Sequence, residues 1–198
     1  MRKRVLWLCV AAAWMVLTSC QAAQPTATPV PPTAAPQPQA GVQLEVTGPE
    51  GTQVLTLDQI KEMSAAEGWA GTKNSVGKVT PAQRHKGVAI EELCKLVGGM
   101  TPQQAVSIVA EDGYAMTLSY DQAINGDLVT YDPISGDEIE FSDPLQVILA
   151  YERDGEPLDA NSEGSLRAAM ISPSNNQVTD GHWAVKWVRQ VVIKPAAE

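Results

Sequence analysis

The side chains of this sequence that could do metal, acid–base or nucleophilic chemistry are few and scattered. His85 and His182 are its two histidines, and Cys94 is its one cysteine beyond residue 20. A catalytic zinc takes about three protein ligands at workable spacing. There is no His-x-x-x-His and no cysteine pair, so no metal site is expected. No serine lies in Gly-x-Ser-x-Gly, and two histidines give a serine triad thin support. Asp132, Asp137, Glu138, Glu140 and Asp143 make an acidic run that lacks the offsets and central glycine of an EF-hand loop, so a solvated turn is expected. Gly71–Lys78 offers a ligand more. Its backbone N–H groups, with Lys73, Asn74, Ser75 and Lys78, could cradle a small anion, although its spacing is not that of Gly-x-x-x-x-Gly-Lys-Ser/Thr. His182, beside Trp183 and after Asp180-Gly181, reads either as a pocket wall or as a plain loop histidine.

The elements that must position these groups are mostly strands. Val42, Leu44 and Val46 alternate as in a strand with one buried face. Gln53–Thr56 runs into a short helix on which Thr56 and Gln59 have capping-box spacing. Residues 69–84 break the pattern with Gly, Thr, Lys, Asn and Ser and read as a long loop or weak strand. Ile90, Leu93, Cys94 and Val97 fall at i, i+3, i+4 and i+7, which predicts a helix over Val88–Val97 ended by Gly98-Gly99. Cys94 on that apolar face reads as a small buried hydrophobe.

Ala105–Ala110 and Tyr114–Leu118 predict a hairpin around Glu111-Asp112-Gly113, and Ser119 with Gln122 a second capping box. Leu128–Tyr131 and Ile139–Phe141 predict another hairpin. Val147–Tyr151, Leu166–Ile171 and Val185–Ile193 read as further strands, with Trp187 in the core and Trp69 and Trp183 open to flanking a cleft. Strands outnumber short helices, so the expected fold class is α+β with a compact mixed or antiparallel sheet.

The N-terminal residues carry an expectation about the compartment. Arg2, Lys3 and Arg4 precede an apolar stretch, Val5–Leu17, too short for a comfortable membrane span, and Leu17-Thr18-Ser19-Cys20 follows. This arrangement resembles the lipobox of bacterial lipoproteins, in which the cysteine is lipid-modified and becomes the first mature residue. The resemblance implies a signal peptide over 1–19, lipidation of Cys20, and a cell-membrane-anchored protein facing outside the cytoplasm. Removing residues 1–19 takes away three basic side chains and moves the net charge from −9 to −12. An acidic surface of that size repels phosphate backbones, so no nucleic acid partner is expected and the acyl chain is the membrane contact. Residues 20–41 carry the lipidated cysteine and a spacer of Pro, Ala, Thr and Gln that buries too little to order. At ~3 Å per residue it lifts the domain some tens of Å from the membrane. Cys94 alone makes no internal disulfide. About 155 residues, 42–198, remain for one domain with a real core.

Taken in order, six pieces of that domain resemble the molybdopterin-binding domain of the sulfite-oxidase type. They are Thr56-Leu57-Asp58-Gln59-Ile60, Lys86-Gly87-Val88-Ala89-Ile90-Glu91-Glu92-Leu93, Val109-Ala110-Glu111-Asp112-Gly113-Tyr114, Leu149 through Leu158, Gly164-Ser165-Leu166-Arg167, and Val185-Lys186-Trp187-Val188. The resemblance implies a compact mixed α/β domain with a molybdenum–pterin cofactor, oxygen-atom transfer, and a cysteine ligating the metal in the loop before the Gly-Val helix start. That loop is Gly71–Lys78 and has no cysteine, so Ser75 is the nearest stand-in. The family's Lys-Ser-Val-Lys-Trp, which serves the pterin phosphate, survives only as Lys186 and Trp187. Arg167 fits the family's Leu-Arg step and serves equally as a structural salt-bridge partner.

Enzymes of this family are exported folded, usually by a twin-arginine signal, and Arg2-Lys3-Arg4 has no arginine pair. The expectation is therefore a binding module that has lost the metal ligand and takes a small anionic ligand or an envelope protein, without cofactor. Its candidate site is Lys73, Asn74, Ser75, Lys78, Arg167, His182 and Lys186. The alternative is an active molybdopterin-dependent oxidoreductase with an atypical metal site.

Overall fold

The computed structural model describes residues 41, 43–140 and 143–196. The expected signal segment, Cys20, the spacer up to residue 40, Val42 and Phe141 lie outside the described residues. Two sheets build the domain. In the first, β1 (Gln43–Gly48) turns Leu44 and Val46 inward, completely buried, as the alternation requires. It pairs antiparallel with β2 (Gly51–Thr56) and parallel with the last strand of the chain, Val188–Pro195. That last strand pairs antiparallel with β5 (Gln104–Ala110), which forms the expected hairpin with β6 (Ala115–Ser119).

The second sheet has eight strands. A hairpin of β3 (Ala65–Lys73) and β4 (Val79–Ala89) occupies its middle. β4 pairs with β9 (Gln146–Arg153), whose other edge takes β10 (Glu156–Pro157) and β11 (Arg167–Ile171). On the far side β3 pairs parallel with β12 (Val178–Asp180). The small hairpin of β7 (Thr130–Tyr131) and β8 (Glu138–Ile139) completes that edge. The mixture is as expected. The molecule is mostly strand, however, and α+β describes it only loosely.

The helices among the described residues are short. α1 (Leu57–Glu62) carries the expected capping box, with Thr56 Oγ1 accepting from Gln59 N and Gln59 Oε1 accepting from Thr56 N at 2.8 Å. Ser119 and Gln122 bond reciprocally over a single π turn, Asp121–Asn125. α2 (Ile90–Lys95) starts two residues later than its periodicity predicts, because Val88 and Ala89 are drawn into β4 opposite Leu149 and Ile148. Its Ile90, Leu93 and Cys94 are buried in the main core with Leu44, Ile108 and Leu149.

Residues 69–84, expected as a loop or weak strand, instead run through β3 and β4, the two longest strands among the described residues, and the turn between them. Polar and glycine residues give this stretch the composition of a loop, while cross-strand pairing holds it extended. β9 is buried on both faces. Val147, Leu149 and Tyr151 join the main core, while Ile148 and Ala150 join Ala169 and Ile171 in a second cluster. Trp187, expected within a core strand, instead precedes the last one, half-buried with φ of 48°. Its N–H donates to Glu163 O at 2.8 Å and its carbonyl accepts from Glu111 N at 2.9 Å, which pins an uncommon backbone geometry.

The β4–β9 pairing depends on one glycine. A Cβ at Gly87 would stand 2.2 Å from Leu149 O and 2.5 Å from Ala150 Cα. Gly87→Ala must therefore separate the two central strands, at about 1–3 kcal/mol, and lower the thermal midpoint by roughly 5–10 °C. An unchanged midpoint in calorimetry would refute this packing.

Candidate anion site

A polar cleft of about 220 Å³ opens beside the start of β11. Five chain segments supply its ionisable groups. β4 brings His85, and the end of β9 brings Arg153. The turn after β10 brings Glu163, the first residue of β11 is Arg167, and the approach to the last strand brings Lys186. Gly71 and Thr72 of β3 close one side. Local bonding explains why these groups meet. Ser162 Oγ donates to Asp159 Oδ2 at 2.8 Å, Glu163 N donates to Asp159 O at 2.9 Å, and the turn so closed presents Glu163. Asn161 N–H first, and the Ser162 hydroxyl second, hold the Asp159 carboxyl below its ordinary value. Residues 185–188 then run alongside this turn and β11. Ala168 N donates to Val185 O at 2.8 Å and Val188 N to Leu166 O at 3.0 Å, which sets Lys186 next to Arg167.

Glu163 is buried (6% exposed) between two guanidinium groups. Its Oε2 accepts from Arg167 Nη1 at 2.7 Å, and its Oε1 accepts from Arg153 Nη1. Burial would raise its carboxyl, but the hydrogen bond and charge of Arg167, then those of Arg153, outweigh this and leave it below the ordinary range. His85 is buried as well (4% exposed), and its Nδ1 stands 3.0 Å from the Gln83 carbonyl oxygen. Burial pushes its pKa down; the bond to Gln83 resists, and Arg167 and Arg153 add to the fall. The ring is therefore neutral at physiological pH. Three cations face one carboxylate, in a chain whose net charge is −9. Two buried atoms of cleft-lining residues, His85 Nε2 and Arg167 Nε, have no protein partner. Oriented donors in a partly closed cleft suit an oxyanion.

Of the residues expected to form a site, Arg167 and Lys186 meet in this cleft. The ion pair of Arg167 with Glu163 also fulfils its structural alternative. His182 lines a neighbouring cleft of about 210 Å³ with Tyr114 and Trp187, joined to the first through Lys186. Its Nδ1 lies 2.7 Å from Asp180 Oδ1, and its ring packs on Trp183 at 4.1 Å. The β3–β4 turn is organised for itself. Asn74 Oδ1 accepts from Val76 N at 3.1 Å and Lys78 N at 2.8 Å, and Asn74 O accepts from Gly77 N, so these N–H groups are already bonded. Lys73 Nζ donates to Gly136 O at 2.7 Å and lies 4.1 Å over the Tyr131 ring. None of Lys73, Asn74, Ser75 and Lys78 lines the cleft.

His85, Arg153 and Glu163 were not anticipated there. The four-residue spacing of Glu163 and Arg167, both in a turn-rich stretch, was the available signal.

A metal finds little here. Among the described residues no group of three or more His, Cys, Asp or Glu is placed to hold one. Cys94 lies in the core, where burial, then Glu91, pushes its thiol up to about 12. It is a protonated thiol away from the cleft, and Ser75 sits on an exposed turn. The cleft therefore lacks the thiolate that the sulfite-oxidase resemblance implies for molybdenum.

No family model matches the chain, and no curated protein matches its sequence. Among solved structures, 21 chains match. One is the crystal structure of the sulfane dehydrogenase SoxCD from Paracoccus pantotrophus, with a TM-score of 0.56 and 16% identity over 78% of this chain. The match spans only 38% of that dehydrogenase chain. The likeness shows a shared fold.

The site makes folding acid-sensitive. His85 keeps a folded pKa below the ordinary 6.5, so the unfolded chain takes up its proton first as pH falls. Glu163, also depressed, loses its contribution further down, as pH falls through its folded value. The urea midpoint should therefore decline steadily from neutral pH to pH ~5 and below. A midpoint that is flat or rises over that range contradicts a buried, neutral His85.

Proposed function

We propose that this chain is a lipid-anchored binding module, facing outside the cytoplasm, that holds a small anion between Arg153, Arg167 and Lys186. The observation that carries the reading is the convergence of three cations on one cleft, two of them steadied by a buried carboxylate, in an otherwise acidic protein. A guanidinium pair held by Glu163 and the ammonium of Lys186 give directed donors and a positive field, which suits capture of oxyanions. The fold is shared with part of a dehydrogenase, but a fold does not carry chemistry with it. Arg167 and Lys186 could face the phosphate of a pterin, whereas no thiolate is offered to its metal. That balance favours binding over oxygen-atom transfer. Molybdenum near one atom per chain, in protein extracted from its native membrane, would overturn the reading in favour of the enzyme.

The anchor rests on Leu17-Thr18-Ser19-Cys20 after a basic and then an apolar segment. Cys20→Ser should abolish incorporation of labelled palmitate and release the protein from the membrane fraction. Persistent labelling would exclude Cys20 as the acceptor.

Lys186 is exposed and donates at 3.2 Å to Ser162 O, so truncating it spares the core. Lys186→Ala should weaken calorimetrically measured binding of inorganic phosphate by roughly tenfold or more, the usual worth of a charged hydrogen bond, with the thermal midpoint kept. Unchanged affinity would remove Lys186 from the site. Failure of phosphate, sulfate and sulfite alike to bind in the millimolar range would remove the site itself.

A further inference from the structure

The ion pairs of the cleft leave two atoms unexplained. A carbonyl oxygen only accepts, so the 3.0 Å contact between His85 Nδ1 and Gln83 O fixes the ring proton on Nδ1. Nε2 is then a lone-pair acceptor, and it is buried with no partner in the protein. Arg167 Nε–H is a donor, equally buried and equally without a partner. Buried polar atoms are ordinarily paired, and leaving one unpaired is costly. Both residues line the same cleft. The cleft therefore asks two opposite things of whatever fills it: acceptor oxygens for Arg153, Arg167 and Lys186, and one hydrogen for His85.

We infer that the cleft selects an oxyanion that keeps a proton, with hydrogen phosphate as the type, over a fully ionised oxyanion of the same shape and charge, with sulfate as the type. The inference rests on the reading of the cleft as an anion site and names which anion it takes. Hydrogen phosphate and sulfate share charge and tetrahedral geometry, so the cations cannot tell them apart. Only an acceptor that meets the proton can. A carboxylate in that role would repel the anion, whereas a neutral imidazole does not. Both oxygens of Glu163 are already engaged by arginines, which leaves His85 Nε2 to read the proton. The charged groups around His85 are Arg153 on β9, Arg167 on β11 and Glu163 between them, with Lys186 on the same cleft. Burial first, then the two arginines, hold the ring neutral against the Gln83 contact and the Glu163 charge. Asp154, at the end of β9, is occupied by Arg84 N–H and the Gln83 amide. A phosphomonoester has mostly lost its last proton at neutral pH, its second pKa being about 6, so free phosphate is the preferred source.

The test is calorimetry on the purified full-length chain at neutral pH and fixed ionic strength, with inorganic phosphate, sodium sulfate and glycerol phosphate as probes. Phosphate should bind at least about tenfold more tightly than either of the others. His85→Leu removes the acceptor and should bring phosphate down to the level of sulfate. Should that variant not fold, the unaltered protein decides by a second route. Sulfate carries no proton over the range in which His85 titrates, so its affinity should rise several-fold as pH falls and Nε2 becomes a donor.

Equal binding of phosphate and sulfate, or a sulfate affinity that stays flat with pH, overturns the inference and leaves the anion site standing. Tighter binding of glycerol phosphate than of phosphate overturns the preference for a free oxyanion. No binding of any probe brings down the anion site itself.

Discussion

Glu163 ties β9, β11 and the approach to the last strand together. Its carboxylate takes a guanidinium on each oxygen, from the end of β9 and the start of β11, at a point shielded from water. Its backbone carbonyl takes the N–H of Trp187, so the same residue also places the segment that delivers Lys186. Removing one partner from such an arrangement leaves charge buried without compensation, which costs more than the pairing itself contributes. The strand pairings of the second sheet bring the arginines close. Glu163 then ties both guanidinium groups to the wall of the cleft.

That constraint has an electrostatic consequence. Arg153 and Arg167 together exceed the charge of Glu163 by one, and Lys186 adds another, so the cleft stays positive in a chain with a pI near 4.7. A local field of one sign inside a surface of the other attracts small anions, while the bulk of the protein repels large polyanions. Burial holds His85 neutral, and the two arginines beside it add to that effect. Ionisation in the cleft thus follows from how its neighbours are packed.

Much of the fold was legible because buried strands and capped helices write their period directly. Leu44 and Val46, the Glu111–Gly113 hairpin and both capping boxes lie where alternation and turn chemistry put them. The β3–β4 hairpin was not legible, because its polar, glycine-bearing residues carry a loop's composition while cross-strand pairing holds them extended. The site was read in halves. Arg167 and Lys186 stood on motifs, whereas His85, Arg153 and Glu163 become neighbours only through β4–β9 register and a turn closed by Asp159. Gly71–Lys78 misled for a related reason. Asn74 draws the N–H groups of that turn to itself, a local competition that composition does not reveal. A likeness in fold fixes no chemistry, which follows from the side chains of the cleft itself.

The most direct measurement is anomalous diffraction from crystals of the protein soaked in arsenate, a heavy analogue of phosphate that keeps a proton at neutral pH. The account places the arsenic peak within the cleft, with its oxygens in hydrogen-bonding contact with Arg167 and Lys186 and one of them against His85 Nε2. A cleft empty of arsenic, with the anion bound elsewhere or nowhere, would contradict it.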